Sequence, residues 1–260
     1  MSVIIVAVCL NSLLHTSNSE SLEPYLHPNI TTASIFPGSY LINISTHNKN
    51  VQEFIVNEHN TLRRNVSPPA GNMLKMEWNQ EAAENSERWA QLCTENHSSI
   101  GQRQINSNTE SPCGENTVVS LNPISWEEVI QMWNDEVHNF KYGVGSKDDS
   151  FTGHYTQIVW YRSNKIGCAV AHCSEAKYAY FYVCHYCPPG NYQDSLFAPY
   201  KSGPPCKDCP HSCEEKLCTN ACPYVDKYRN CAPLKEEVGC SNEEIFQGCP
   251  ASCKCSNQIM

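Results

Sequence analysis

Charge is what this sequence is short of. Only 17% of its 260 residues are charged, and 27 Asp and Glu outnumber 18 Lys and Arg, for a formal net charge of −9. No block of Lys and Arg offsets that balance. Broad binding to nucleic acid or to anionic membranes is thereby excluded, since both need a cationic face. Catalytic signatures are missing as well: there is no Gly-x-Ser-x-Gly, no His-Glu-x-x-His and no Gly-rich phosphate loop. After the first residues no stretch is long and apolar enough to span a bilayer. Residues 20–92 contain no cysteine, and yet the chain has 17 of them.

The opening segment, Val3-Ile4-Ile5-Val6-Ala7-Val8-Cys9-Leu10 and then Leu13-Leu14, leads into small polar residues around His15-Thr16-Ser17-Asn18-Ser19. It reads as a signal peptide over residues 1–19 and predicts a secreted, extracellular protein. Removing it takes Cys9 away, so 17 less one leaves 16 cysteines, an even number that predicts eight disulfides in an oxidising compartment. Four sequons, at Asn29, Asn43, Asn65 and Asn96, fit a glycoprotein on the same export route.

Cysteine density divides the rest. Residues 20–49, polar and rich in proline with little periodicity, read as a mobile leader. A first domain is expected over 50–203, with six cysteines between 93 and 187. Ten more fall between 206 and 255, over a hinge at 204–221 and a small unit at 222–260 that is too poor in aliphatics to hold a fold without cross-links.

Periodicity predicts three helices. The first carries Val51, Phe54, Ile55 and Leu62 on one face. The second follows Asn79, a good N-cap, with Ala82, Ser86, Trp89, Ala90 and Cys93 inward. The third opens on the capping box Ser125-Trp126-Glu127-Glu128 and carries the stripe Trp126, Val129, Ile130, Trp133, Val137 and Phe140. Three β-rich runs follow, at 155–160, 166–171 and 178–186. Helices bracketing a small antiparallel sheet make an α+β fold.

Cys184-His185-Tyr186-Cys187 and Cys206-Lys207-Asp208-Cys209 have the spacing of a zinc ribbon. In an oxidising compartment, among so many other cysteines, disulfides are the better reading, and no βαβ context supports a redox pair.

Gly153-His154-Tyr155-Thr156-Gln157-Ile158-Val159-Trp160 resembles the first signature of the CAP superfamily, and Tyr182-Val183-Cys184-His185-Tyr186-Cys187-Pro188-Pro189-Gly190-Asn191-Tyr192 resembles the second. Cys113-Gly114-Glu115-Asn116, the His59-Asn60-x-x-Arg63 of the first helix and the ten C-terminal cysteines extend the resemblance over roughly 50–255, to the cysteine-rich secretory proteins.

That resemblance implies a three-layer α-β-α sandwich followed by a disulfide-stapled, toxin-like unit that regulates ion channels. It implies the pairs Cys93–Cys173, Cys113–Cys187, Cys168–Cys184, Cys206–Cys213, Cys209–Cys218, Cys222–Cys255, Cys231–Cys249 and Cys240–Cys253. It also implies a cleft of His97, Glu115, Glu136 and His154. The helical wheel is compatible with this, placing Glu136 about 60° from Trp133, at the edge of the buried face.

Such a cleft holds Zn²⁺ with water completing the shell, or the carboxylates orient the imidazoles from behind, or the group is a satisfied polar cluster that ties loops together. No cofactor is required by the reading. The C-terminal unit resembles sea-anemone channel toxins, but 241–248 offers Glu243 and Glu244 and no lysine. Contact with a channel would then rest on Ile245 and Phe246, with Tyr224 and Tyr228 beside them, unless these form the unit's small core.

The resulting expectation is a non-enzymatic binding protein of cell surfaces that engages a membrane protein such as an ion channel, as relatives do in sperm coating, fertilisation and venoms. The rivals are a sterol or lipid carrier, and a hydrolase using the His/Glu cleft.

Overall fold

The computed structural model describes residues 43–105, 112–228 and 230–260. The signal segment, nearly all of the leader and the Asn29 sequon lie outside them. Among the described residues no helix is long and apolar enough to cross a membrane.

A four-stranded sheet of order β1-β5-β6-β2 organises the larger part: β1 (Glu77–Trp78), β2 (Gly114–Ser120), β5 (Lys165–His172) and β6 (Tyr180–Cys187). Only β1 runs parallel to its neighbour. Alternation along the strands sorts the side chains into two layers. Ile166, Cys168, Tyr180, Tyr182, Cys184 and Tyr186 pack with Ile55, Trp126, Val129, Ile130, Trp133 and Ile158 in one core. Ala171, Cys173, Phe181 and Val183 form the other with Ala90 and Val119. The first core is covered by α1 (Lys49–Arg64), α3 (Trp126–Asp135) and α4 (Gly153–Ile158), and the second by α2 (Gln80–Ala90). This is the α-β-α sandwich. β6 is buried along its whole length because both faces are covered.

Caps fix the helix starts. Asn79 Oδ1 accepts the N–H of Ala82 at 2.8 Å, and Ser125 and Glu128 close the capping box that opens α3. Tight contact seats α2 on β5: a Cβ on Gly167 would lie 2.1 Å from Ala83 N.

Three sequence expectations are corrected. The β-rich run 155–160 is not a strand, for Gly153–Ile158 is the helix α4. Its first N–H groups, those of His154 and Tyr155, donate to Glu136 Oε2 at 2.9 and 3.1 Å, a tertiary cap that overrides local β propensity. On α1 the buried face is Ile55, His59, Asn60 and Arg63, whereas Phe54 is 38% exposed. Hydropathy misplaces this face because most of it is polar and satisfied. Arg63 donates to the carbonyls of Leu74, Ile158, Trp160 and Tyr161, and Asn60 exchanges two hydrogen bonds with Met76. Ile44, read as leader, is 4% exposed in the core, and its carbonyl accepts from Trp126 Nε1.

A hairpin, β3 (Phe140–Lys141) with β4 (Gly145–Ser146), follows α3. Beyond the sandwich come the hairpin β7 (Cys213–Glu214) and β8 (Leu217–Cys218), and then three short helices, α5 (Cys231–Glu237), α6 (Glu243–Gly248) and α7 (Pro250–Lys254). The chain end returns to the sandwich. Ile259 is buried with Leu74, Cys206, Cys209 and Cys218, and Tyr161 donates to the Met260 carbonyl at 2.7 Å.

Eight disulfides cross-link these residues. Cys93–Cys173, Cys113–Cys187 and Cys168–Cys184 lie in the sandwich, Cys206–Cys213 and Cys209–Cys218 in the hinge, and Cys222–Cys255, Cys231–Cys249 and Cys240–Cys253 in the terminal unit. Cys206, Cys209 and Cys218 bring their sulfurs within 4.8 Å of one another because two disulfides meet there, which leaves no thiolate for a metal.

Candidate functional site

β2 is one of the two edge strands of the sheet, and the cleft residues lie on either side of it. On one side, Glu115 Oε1 takes the Nδ1–H of His97 at 2.7 Å and the N–H of Ser98 at 2.9 Å. Its Oε2 takes the Ser98 hydroxyl at 2.6 Å and Nε2–H of His185 at 2.8 Å. Arg103 stands 3.5 Å away. Burial alone would raise the Glu115 pKa, but the hydrogen bonds from His185, His97 and Ser98 overcome it and hold the carboxyl well below the usual range. His185 is itself buried, which lowers its pKa and keeps the ring neutral, and its Nδ1 meets no partner among the described residues.

The other side is built on the next residue of the strand. Asn116 Nδ2 donates to the His154 carbonyl at 3.1 Å and to the Tyr186 hydroxyl at 3.3 Å. Tyr186 donates in turn to His59 Nε2 at 2.9 Å, and His59 Nδ1–H to the Ile55 carbonyl at 2.8 Å. Glu136 stands just past the end of α3 and opens a 3-10 turn over Glu136–Asn139. Its Oε1 takes Nδ1–H of His154 at 2.6 Å, while its Oε2 caps α4. His154 thus sits in the first turn of a helix rather than ahead of a strand.

The structure therefore arranges the four cleft residues as two pairs, on either side of β2, each an imidazole fixed through Nδ1 by a buried carboxylate. That choice of tautomer turns each Nε2 lone pair outward, the arrangement in which a carboxylate behind an imidazole raises its basicity toward a metal. An imidazole backed by a carboxylate is donor chemistry of the kind a zinc-class ion takes, and His97 and His154 are the residues that would hold one, with the glutamates behind them. His185, Ser98 and Asn116 were missed as parts of the site. The signal was present in the pairing of Glu115 with His185 across neighbouring strands, but one-residue registers cannot be read from sequence.

Asn43, Asn65 and Asn96 are exposed. Ile245 and Phe246 are only half-buried at the surface of the terminal unit, and Lys254 Nζ lies 4.7 Å from the Phe246 ring and 4.5 Å from that of Tyr224. That lysine comes from α7, outside 241–248. Tyr228 is the more open aromatic, at 54%. A groove of 390 Å³ between sandwich and hinge, lined by Lys75, Glu77 and Lys165 among others, contains none of the cleft residues.

Residues 56–186, half of the chain, match the family described as "CAP: Cysteine-rich secretory protein family", and residues 206–260 match "Crisp". The chain belongs to the cysteine-rich secretory protein family. Solved structures agree. Na-ASP-1 is 28% identical with a TM-score of 0.54 over 65% of this chain, which spans only 46% of that protein. NaASP2, solved with Zn²⁺, is 26% identical with a TM-score of 0.55, covering 66% of this chain and 96% of its own. BmVAL-1 is 26% identical with a TM-score of 0.54, covering 66% and 94%.

Proposed function

We propose that this member of the family is a secreted, non-enzymatic binding protein of cell surfaces, with a zinc-class metal in its cleft and an ion channel as the partner of its terminal unit. The observation that carries the metal reading is the pair of imidazoles, each tied at Nδ1 to a carboxylate at 2.6–2.7 Å, with Nε2 left for a ligand. A relative, NaASP2, was crystallised with Zn²⁺. Binding rather than catalysis is favoured because both glutamates are engaged as acceptors and the Ser98 hydroxyl beside them is spent on Glu115. Export is supported by the eight disulfides. Calorimetry of Zn²⁺ on the full chain tests the cleft, and unchanged affinity in the His97→Ala, His154→Ala double variant would sink it.

For the channel, support comes from the terminal unit's match to the "Crisp" family and from its surface. Glu243 and Glu244 are exposed in the first turn of α6, so a cation-channel mouth repels them from the pore axis. Contact falls instead on the rim, through Tyr228 and the half-buried Ile245 and Phe246. Block is then nearly independent of voltage. Dose-response curves at several holding potentials test this, and steep voltage dependence or silence across a channel panel rejects it. The sperm surface, with a role in fertilisation, is one of the settings, beside venom, that the family resemblance implies; binding of the purified glycoprotein to washed sperm tests it.

A further inference from the structure

The two imidazoles of the cleft are not equivalent. The His97 side chain is 43% exposed and the His154 side chain 16%. Aromatic rings account for the difference. Trp133 lies behind His154, 6.1 Å between centroids at 31°, and Phe151 stands edge-on to it at 4.9 Å and 66°. Phe151 belongs to no strand or helix, but its position is defined. Its ring lies over Gly153, where a Cβ would come within 2.8 Å of Phe151 Cζ. The loop that delivers it is pinned to the turn containing Glu136, through Lys147 N–H to the Asn139 carbonyl at 2.7 Å and Lys147 Nζ to the His138 carbonyl at 2.9 Å. Asp148 and Asp149 then reverse the chain at φ of 52° and 55°. Phe151 itself remains 36% exposed, with solvent on its outer side.

We propose that Phe151 is the shield of the His154 half of the cleft, so that an incoming ion is captured first at the open His97 and reaches His154 only when the Phe151 ring gives way. This rests on the reading that the two imidazoles bind the ligand. Phe151 is a positioning and access residue, since its contact is with the His154 ring. Apolar cover of this kind sets solvent access and local dielectric at a metal site.

The test is carbethoxylation of the metal-free full chain by diethyl pyrocarbonate, which acylates a free neutral imidazole nitrogen, with rates resolved for His97 and His154 by peptide mass spectrometry. Phe151→Ala is expected to speed His154 by up to about threefold, the ratio of the 43% and 16% exposures being the ceiling while Trp133 still covers the ring, and to leave His97 unchanged. Phe151→Tyr, which keeps a ring, should hold the parent rates. Gly153→Ala, which pushes the ring aside without removing it, should also speed His154, and serves if Phe151→Ala does not fold. An unchanged His154 rate in a folded Phe151→Ala, or an equal rise at both histidines from general loosening, overturns the shield. Zinc calorimetry on the same samples separates the two claims: a parent that binds no zinc defeats the metal reading, while the shield stands or falls on the modification rates alone.

Discussion

Acidification should destabilise this protein well before its carboxylates titrate, and His59 is a main reason. The ring is fully buried, donating from Nδ1 to the Ile55 carbonyl and accepting at Nε2 from Tyr186. Burial outweighs the favourable Ile55 contact and lowers its pKa from 6.5 to about 4. The folded pKa therefore lies below the unfolded one, so the unfolded chain takes up the proton first. The contribution is complete above pH 6.5 and is lost as pH falls toward 4. A shift of this size, at about 1.4 kcal/mol per pH unit, amounts to about 3 kcal/mol by pH 4. His185, also lowered by burial, acts in the same direction, and Glu115 adds its loss further down, below the ordinary carboxylate range. Urea unfolding with disulfides intact, followed by tryptophan fluorescence at pH 7 and pH 4.5, measures the sum. His59→Asn isolates the term, since the variant lacks the titrating ring while His185 and Glu115 remain common to both proteins. It should start less stable at pH 7 and lose about 2.5 kcal/mol less than the parent on acidification. An equal acid loss in parent and variant would refute the reasoning.

Glu136→Ala removes the acceptor of three hydrogen bonds, from His154 N–H, Tyr155 N–H and His154 Nδ1–H. With about 1.5–3 kcal/mol for each bond to a charged group, melting temperatures should fall in the order parent, Glu136→Gln, Glu136→Ala. Gly167→Ala should cost about 1–3 kcal/mol or more in urea, because its Cβ meets the α2 backbone rather than a side chain that can move. Thiol labelling of denatured, unreduced protein lacking residues 1–19 should find none, and a labelled cysteine would contradict the eight pairs.

The elements that were legible in the sequence are those whose burial is apolar. The stripe Trp126, Val129, Ile130 and Trp133 repeats at helical spacing and is buried as that spacing requires. The strands β5 and β6 fall within a residue or two of the β-rich runs. What was not legible depends on partners distant in sequence. α4 reads as a strand because Tyr, Thr, Ile and Val favour one, and only Glu136, from another helix, caps it as a helix. The inward face of α1 is polar, and Arg63 is hidden because four carbonyls from separate segments converge on it. In the terminal unit the sequence between the third and fourth cysteines shows no lysine, but the fold carries Lys254 onto Phe246 and Tyr224.

The signature residues owe much of their pattern to packing, and this decides how the cleft should be probed. Gly114 leaves room for Gln157, whose Oε1 would stand 2.0 Å from a Cβ there, and Gln157 in turn holds the Gly190 N–H at 3.1 Å. Gly153 makes room for Phe151. Glu136 both orients His154 and starts α4. Glu115 ties Ser98, His97 and His185 to the edge strand. A substitution at any of these perturbs the fold together with the chemistry, so lost binding there says little about the ligand. His97 differs: it is the most exposed of the four cleft residues and, among the described residues, makes a single side-chain hydrogen bond, to Glu115. Glu115 keeps four other polar contacts when that bond is removed, two from Ser98 and one each from His185 and Arg103. His97→Ala is therefore the variant in which a change of metal affinity reports the ligand atom itself, with the packing around β2 left in place.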